Sequence, residues 1–525
     1  MMALRGSIPA GEANDAPVDP PAATNAGAAG PARPVGERAV SGVSWMMLQM
    51  IATRVITLVT SVVVSRWLLQ AEDFAAMAMA NSVCTVLALI QPTNLSDILV
   101  QRQGQFRRWA NSAFWLSVIA GVGMLVLAAI LAPLGGHLFH SRIVPWLILI
   151  VGATPALNGL SVVWQAEQAM NFRFRQIASI STVVSLSAST LTIVLACLGC
   201  GPLSLAAPAL LTAALTVGLY MRGSEFRPHL RVNLARWAGL FGDITLLAAA
   251  GFFSLITTQA DNFFLGIYRK SEMGNYVWAY GLSLQFAVLA VGSLRGALLP
   301  AFSSIREDRA RADVALRRTV ALVSLVAMPM CILMVPAIPA VVRLVFSAKW
   351  DGAIRYVQIL LPSMSFFTVA AVFVTTIFSR RLYGRYLAMQ AFGAVLFVAC
   401  VWPAAAYGGP VAVAFAVSLL YSVGTVMPLC VATYPSPLWE QMKLAGAMIL
   451  PFLLATGSAT IAWRTEACFF ADAHDWKAGA TALAVGVSIY TGVALLLLKA
   501  DVKLLSDRLR PFIVRFLPSR ARVTQ

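Results

Sequence analysis

The hydrophobic residues of the chain fall into long stretches that are separated by short polar segments. An α-helix needs about 20 predominantly apolar residues to cross a bilayer. Membrane-spanning β-strands are only about 10 residues long and alternate apolar with polar positions. The pattern therefore predicts an all-α polytopic membrane protein with about 14 transmembrane helices. The predicted spans are 41–69, 74–95, 111–134, 143–168, 177–199, 203–222, 238–266, 274–299, 317–345, 353–378, 384–407, 410–432, 441–463 and 476–499.

Lysine and arginine residues are distributed unequally between the two sides of this predicted bundle. On the side of the two termini we count 27 of them, against nine in the loops of the other side. Because cytoplasmic loops retain Lys and Arg, we expect both termini in the cytoplasm. One missed span would exchange the sides of every later loop. The asymmetry persists to the C terminus, so it supports the number of spans.

Composition excludes most soluble classes of protein. Hydrophobic residues make up 59% of the chain and charged residues 12%, whereas about a quarter of residues are charged in soluble domains. The net charge of +17 does not indicate nucleic-acid binding, because the positive residues occur in small groups between apolar stretches, as cytoplasmic loops require. We expect contacts with membrane lipids and none with nucleic acid.

Two short patterns are similar to redox or metal sites but lack what such sites require. Cys197 and Cys200 have the spacing of a reactive pair, yet they close an apolar helix and have no His or acidic neighbours. Asp472, His474 and Asp475 lie in the last predicted loop, where solvated charge is the simpler interpretation. We expect no metal and no cofactor, apart from a coupling H⁺ or Na⁺.

An internal repeat divides the predicted spans. SRWLLQAEDFAAMAMA (65–80) is similar to GIYRKSEMGNYVWAYG (266–281), and LFHS (138–141) to VFSA (345–348), at an offset of about 200 residues. Paired repeats around a central site are typical of alternating-access carriers. We therefore expect two pseudo-symmetric six-helix lobes plus two C-terminal helices. The predicted segments are a disordered cytoplasmic tail (1–40), an N-terminal lobe (41–222), a cytoplasmic linker (223–237), a C-terminal lobe (238–432), helices 13 and 14 (433–499) and a basic cytoplasmic tail (500–525).

An ordered set of segments resembles the polysaccharide transporter family, the flippases for lipid-linked oligosaccharides within the multidrug, oligosaccharidyl-lipid and polysaccharide exporter superfamily. The similar segments include LVQR (99–102), LNGLSVVWQAEQAMNFRFR (157–175), QADNFFLGIYRKSEMGNYVWAYGL (259–282) and LVFSAKWDGAIRYVQIL (344–360). The resemblance implies two six-helix bundles around a central cavity that opens alternately to each side of the bacterial inner membrane.

The resemblance also implies a cargo. Such a flippase moves a polyprenyl-pyrophosphate-linked oligosaccharide, which is an exopolysaccharide, capsule or O-antigen repeat unit, from the cytoplasmic to the outer leaflet. A polysaccharide polymerase and the export machinery are then candidate partners. Sheltering the anionic pyrophosphate inside the bilayer requires cations in the cavity.

Two arginines within predicted spans are candidate pyrophosphate ligands. A charge at the centre of a span costs at least about 2.5 kcal/mol on insertion scales, so Arg54, midway along the first span, cannot face lipid. It could bind pyrophosphate bidentately or pair with an acidic residue of another helix. Arg295, late in the eighth span, could bind the same group or snorkel to the headgroups.

Three polar residues toward the outer end of the seventh span form a second candidate site. Asp261 could bind the coupling proton or sodium ion, bond sugar hydroxyls, pair with Arg54 or cap a helix end. Gln259 and Asn262 are candidate sugar ligands. Glu167, at the end of the fourth span, is a further candidate for ion coupling, although solvated charge is common at that level.

Two other functions compete with a flippase. A drug or cation antiporter of the same superfamily would carry acidic residues deep in its first lobe, whereas the first three predicted spans hold Arg54 and no mid-span carboxylate. A membrane polymerase or glycosyltransferase needs a sizeable catalytic segment, and no predicted loop is long enough. We therefore expect a transporter with an anionic cargo and no catalytic residues.

Overall fold

The computed structural model describes residues 49–50, 52–89, 95, 99, 106–171, 173–229, 234–291, 298, 302, 308–380, 382–434, 437–469 and 476–497. The regular elements in these ranges are all helical, and the fourteen helices match the fourteen predicted spans one to one. They are α1 (49–68, ending in the π turn Val64–Leu68), α2 (Ala71–Cys84, continued by the 3₁₀ turn Thr85–Leu89), α3 (Phe106–Leu138), α4 (Val144–Met170), α5 (Phe174–Cys197), α6 (Leu203–Arg222), α7 (Leu234–Tyr268), α8 (Lys270–Val291), α9 (Arg309–Ile332, continued by Met334–Val341 and the π turn Val342–Phe346), α10 (Asp351–Ser379), α11 (Tyr383–Pro403, continued by Ala404–Gly408), α12 (Gly409–Gly424, continued by Val426–Thr433), α13 (Leu438–Phe469) and α14 (Trp476–Leu497).

Helix length and apolar composition agree with a membrane protein. Nine helical stretches within the described ranges are long and apolar enough to cross a bilayer by these two criteria. One of them, 383–433, is divided at Gly409, whose φ of 73° lies in the left-handed region that favours glycine. It therefore supplies two helices, α11 and α12.

Local sequence signals set several helix ends. α2 begins with a capping box in which the backbone N–H of Gln70 donates to Asp73 Oδ2 at 2.8 Å. Asp308 caps the N terminus of α9, whose first helical residue is Arg309, and its Oδ1 accepts from the N–H of Arg311 at 3.0 Å. That start lies eight residues before the predicted span at 317, because hydropathy detects only the apolar length of a helix and α9 continues into its polar loop.

The helices pack mainly within two groups. In the N-terminal lobe, α4 packs against α2, α3 and α6, and α6 packs against α5. In the C-terminal lobe, α7 packs against α11, and α10 packs against α8, α9 and α12. α13 and α14 pair with each other and lie against α9, where the Tyr490 hydroxyl donates to the Leu325 carbonyl at 3.0 Å.

The two lobes share a backbone feature that follows the sequence repeat. His140 (φ 48°) and Ser347 (φ 96°) are the non-glycine residues with positive φ in the described part of the chain. Each is the third residue of its repeat segment, LFHS at 138–141 and VFSA at 345–348. Both therefore end the third helix of their lobe in the same unusual way.

The lobes meet through α2, which packs against α7 and α8. The largest hydrophobic cluster lies at this contact and includes Met79, Phe139, Tyr276 and Trp350, each no more than 2% exposed. The contact is so close that a Cβ added to Gly274 of α8 would lie 2.0 Å from the carbonyl oxygen of Ala71. One end of the molecule is therefore tightly closed.

Candidate substrate cavity and its closed end

α1 carries a polar face inside the predicted bilayer. Thr53, Arg54, Thr57, Thr60 and Ser61 fall within an arc of about 120° around the helix axis, at 100° per residue. Polar residues within a membrane helix face protein or water-filled space rather than lipid. α8 covers one end of this face, where Gln285 Nε2 donates to Ser61 Oγ at 3.4 Å.

Arg54 lies on the same side of α1 as Ser61. Seven residues separate them, which places them about 20° apart around the axis and about 10 Å apart along it. Arg54 is exposed, and within the described part of the chain its guanidinium has no hydrogen bond or ion pair. The predicted alternative of an ion pair with Asp261 does not form.

Two tryptophans of the C-terminal lobe enclose Ser65 of α1. Trp278 Nε1 donates to Ser65 Oγ at 3.1 Å, and Trp350 Nε1 donates to the Ser65 carbonyl at 2.9 Å. The two indole rings stack with centroids 4.4 Å apart and planes 12° apart. All three side chains are at most 5% exposed. These contacts join the lobes at what we call the closed end.

Three cations at the closed end bind backbone carbonyls of the opposite lobe. Arg66 Nη1 donates to the carbonyls of Leu344 and Val345. The other two are lysines of the C-terminal lobe. Lys270 Nζ donates to Phe139 O at 2.9 Å and His140 O at 3.3 Å, and Lys349 Nζ to Leu69 O at 2.7 Å.

The polar cluster of α7 lies inside the C-terminal lobe. Asp261 is 1% exposed and its Oδ2 accepts a 2.6 Å hydrogen bond from the Tyr276 hydroxyl of α8. Asn262 Nδ2 donates to Gln259 Oε1 at 3.2 Å, while the buried Asn262 Oδ1 has no partner among the described atoms. The structure thus brings together three of the predicted site residues. Arg54 lies apart from them, and Arg295 lies outside the described residues.

Sequence analysis missed the tyrosines beside Asp261. The hydroxyls of Tyr280 and Tyr421 are 2.8 Å apart, and Tyr421 donates to the Thr257 carbonyl one turn before Asp261 at 3.2 Å. Tyrosine within a predicted span is most simply interpreted as an interface residue, and Tyr421 is distant in sequence. Only the packing of α12 against α7 and α8 reveals the cluster.

Most of the chain aligns with proteins of polysaccharide biosynthesis. Residues 63–355, more than half of the chain, match the family described as polysaccharide biosynthesis protein. The chain belongs to this family. It is similar to the succinoglycan biosynthesis transport protein ExoT of Rhizobium meliloti, with 26% identity over 381 residues that cover 70% of this chain and 73% of that protein. It is also similar to the lipopolysaccharide biosynthesis protein WzxC of Escherichia coli, with 20% identity over 432 residues, 81% of this chain and 87% of that protein.

Solved structures show the fold of this polysaccharide biosynthesis protein. The lipid II flippase MurJ in an inward closed conformation aligns with a TM-score of 0.69 and 13% identity, covering 87% of this chain and 99% of that chain. An inward-facing multidrug resistance transporter of the MATE family, in the MOP superfamily, aligns with a TM-score of 0.53 and 16% identity, covering 75% of this chain and 95% of that chain. The protein therefore has the fold of these multi-pass membrane transporters.

Glu167 of this family member contacts the segment that connects the lobes. Its Oε2 accepts from the backbone N–H of Phe226 at 3.3 Å, and Trp164 Nε1 donates to the Phe226 carbonyl at 3.2 Å. Trp115 Nε1 donates to the His229 carbonyl at 2.7 Å. The segment 223–229 is therefore bound along α3 and α4. An ion-coupling role of Glu167 stays a prediction.

A separate cavity of about 280 Å³ lies within the N-terminal lobe, between α3, α4, α5 and α6. Its polar lining consists of hydroxyls and amides, among them Ser117, Asn158, Gln165, Ser181 and Tyr220. The lining contains no charged side chain. Such a cavity can hold water or a neutral polar group, but it cannot neutralise a pyrophosphate.

Proposed function

We propose that this protein is a flippase that moves a polyprenyl-pyrophosphate-linked oligosaccharide across the bacterial inner membrane by alternating access. The observation that carries this proposal is Arg54 on the polar face of α1, in a member of a polysaccharide biosynthesis family. This arginine is exposed and has no counter-ion among the described residues. The curated relatives are biosynthesis or transport proteins of succinoglycan and lipopolysaccharide. A drug antiporter of the same fold would instead carry an acidic group for its cationic cargo deep in the first lobe, whereas the first three predicted spans hold Arg54 and no mid-span carboxylate.

The pyrophosphate binds first at Arg54 in this mechanism. A guanidinium can form two parallel charge-assisted hydrogen bonds to a phosphate group, and these bonds are about twice as strong as neutral ones. The polar side chains of α1 around Arg54 keep the headgroup away from hydrocarbon, while the polyprenyl chain stays in lipid. The lobes then rock about the bound headgroup, and the closed end opens.

The closed end faces the periplasm if both termini are cytoplasmic, as the distribution of Lys and Arg suggests. The headgroup then enters from the cytoplasmic side, where Arg54 is exposed. A polysaccharide polymerase and the export machinery would take up the released repeat unit at the outer face. This orientation and these partners are part of the proposal.

Ion coupling is assigned to Asp261. Its partner Tyr276 lies on α8, two residues before Trp278, whose indole binds Ser65 of the N-terminal lobe. A proton or sodium ion that binds Asp261 would weaken or replace the hydrogen bond to Tyr276. The change would be transmitted over two residues of α8, from Tyr276 to Trp278, to the contact that closes the lobes.

The test of the cargo is transport by Arg54 variants in cells that lack the wild-type protein. We expect Arg54→Ala to lower export at least tenfold, corresponding to about 1.4 kcal/mol or more, with lipid-linked repeat units accumulating on the cytoplasmic leaflet. Arg385→Ala is the matched control, because Arg385 is also exposed but stacks over Tyr434 at 3.9 Å, away from α1. Unchanged export by an Arg54→Ala protein that inserts normally would refute the proposed role.

A further inference from the structure

The three cations at the closed end share one kind of acceptor. Leu69 follows the last turn of α1, Phe139 and His140 follow α3, and Leu344 and Val345 lie in the last turn of α9. The final carbonyls of a helix lack intrahelical partners and carry the negative end of the helix dipole. Each cation therefore neutralises a helix end that belongs to the other lobe.

No carboxylate forms an ion pair with these cations in the described part of the chain, although Asp73 attracts Lys349 electrostatically. The ion pairs there are Arg317–Glu440, Arg343–Asp351 and Arg380–Asp313. The nearby carboxylate of Asp73 caps α2 through Gln70. Because cations gain only about 0.3–1 kcal/mol from a helix end at an exposed site, contacts of this kind can break and re-form in each transport cycle.

Opening of the closed end frees three positive charges together. Arg66, Lys270 and Lys349 lose their acceptors when the lobes separate, because every acceptor lies in the opposite lobe. A closure that served only to seal the protein could use neutral donors, as Trp278 and Trp350 do at Ser65. The cations instead add a cluster of positive charge at the place where an anionic headgroup must leave.

The spacing along α1 separates this cluster from the first binding site. Arg54 and Arg66 are twelve residues apart, which is about 18 Å along a helix. In the closed state Arg66 is also held by the carbonyls of Leu344 and Val345, so it is not available to a pyrophosphate bound at Arg54. A headgroup that crosses the protein must therefore pass from one cationic site to another.

We propose that Arg66, Lys270 and Lys349 form a pyrophosphate-binding site in the open state and receive the headgroup from Arg54. This inference rests on the proposed flippase function and adds a second anion site to it. The headgroup competes with the helix-end carbonyls for the same three cations. Headgroup binding therefore favours the open state. The size of this effect is the difference between the free energies with which the headgroup binds the open and closed forms.

Binding of inorganic pyrophosphate to the purified protein tests the site without transport. Gly274→Ala opens the closed end, because the added Cβ would clash with the Ala71 carbonyl. Gly281→Ala is the matched control on the same helix, since a Cβ there meets nothing within 4 Å. We expect the Gly274→Ala protein to bind pyrophosphate at least tenfold more tightly than the Gly281→Ala protein.

Charge variants then locate the binding site. Replacing Arg66, Lys270 and Lys349 together by Gln in the Gly274→Ala protein should weaken pyrophosphate binding at least tenfold. Arg269→Gln should leave it within about twofold, because Arg269 neighbours Lys270 and is exposed but has no described contact across the lobes. Equal binding by the triple variant, or an equal loss in Arg269→Gln, would overturn the proposal.

Hydrogen–deuterium exchange on the protein without the Gly274 substitution provides an independent readout. Pyrophosphate should accelerate exchange in the segments 65–73 and 344–350, and equal concentrations of sulfate should do so less. The triple Gln variant should show no pyrophosphate effect, and an effect that persists there contradicts the site. Loss of export in Arg54→Ala without pyrophosphate binding at the closed end would support the flippase function and refute only this second site.

Discussion

The hydroxyl of Tyr276 donates a 2.6 Å hydrogen bond to Asp261 Oδ2, and both residues are at most 1% exposed. α7 and α8 are thereby joined by a polar contact inside the C-terminal lobe. Trp278, two residues further along α8, donates to Ser65 of the N-terminal lobe. This arrangement connects the candidate ion site to the closed end.

Tyr276→Phe should change how transport depends on the ion gradient. The substitution keeps the ring that packs against Tyr356 and removes the hydrogen bond to Asp261. A hydrogen bond to a charged group contributes about 1.5–3 kcal/mol to stability. We expect flipping in proteoliposomes to respond at least tenfold less to an imposed proton or sodium gradient. Tyr280→Phe is the control, because Tyr280 binds Tyr421 and not Asp261. If Tyr276→Phe and the wild type respond equally to the gradient, the proposed coupling through Asp261 and Tyr276 is wrong.

Ser65→Ala should weaken the closed end. The Trp278 indole N–H would lose its acceptor while it stays buried, and an unsatisfied buried donor costs about 1–3 kcal/mol. We expect faster hydrogen exchange at the start of α8 and a lower melting temperature. Ser82→Ala is the matched control, since the Ser82 hydroxyl bonds only to Met79 of its own helix. Similar exchange in the two variants would show that the indole contact does not hold the lobes together.

Glu167→Gln distinguishes two roles of the residue. An amide oxygen can accept from the Phe226 N–H as the carboxylate does, but it cannot take up a proton in the same way. If Glu167 serves to hold the segment 223–229, export by the Gln variant should stay within about twofold of the wild type, and Glu167→Ala should lower it further. A complete loss of export in Glu167→Gln would instead support ion coupling at this position.

Gly274→Ala should inhibit transport by preventing complete closure. The added methyl group must displace the backbone of Ala71, because the Cβ would lie 2.0 Å from that carbonyl oxygen. Such overpacking typically costs about 1–3 kcal/mol. We expect faster hydrogen–deuterium exchange in the segment 65–73 of this variant. Gly281→Ala should leave that exchange unchanged, and unchanged exchange in both variants would show that α2 and α8 accommodate the methyl group.

The site residues illustrate what sequence can reveal. Arg54 and Asp261 were recognisable because a charge inside an apolar stretch is expensive and therefore functional or paired. Their partners were not recognisable, since neither tyrosine nor tryptophan is unusual in a membrane helix. Glu167 was identified as a candidate, but its contact with Phe226 depends on the path of a linker that has no sequence pattern.

The sequence by itself determined the number, type and order of the helices. Each helix satisfies its own backbone hydrogen bonds, and hydrocarbon thickness sets its apolar length, so both properties are local. The repeat that relates His140 to Ser347 was also visible as a short similarity. Only the tertiary structure decided that Ser65 lies between Trp278 and Trp350, and that Arg66, Lys270 and Lys349 bind helix ends of the opposite lobe. These contacts join residues more than 100 positions apart, and they depend on how two lobes pack rather than on any local preference of the chain.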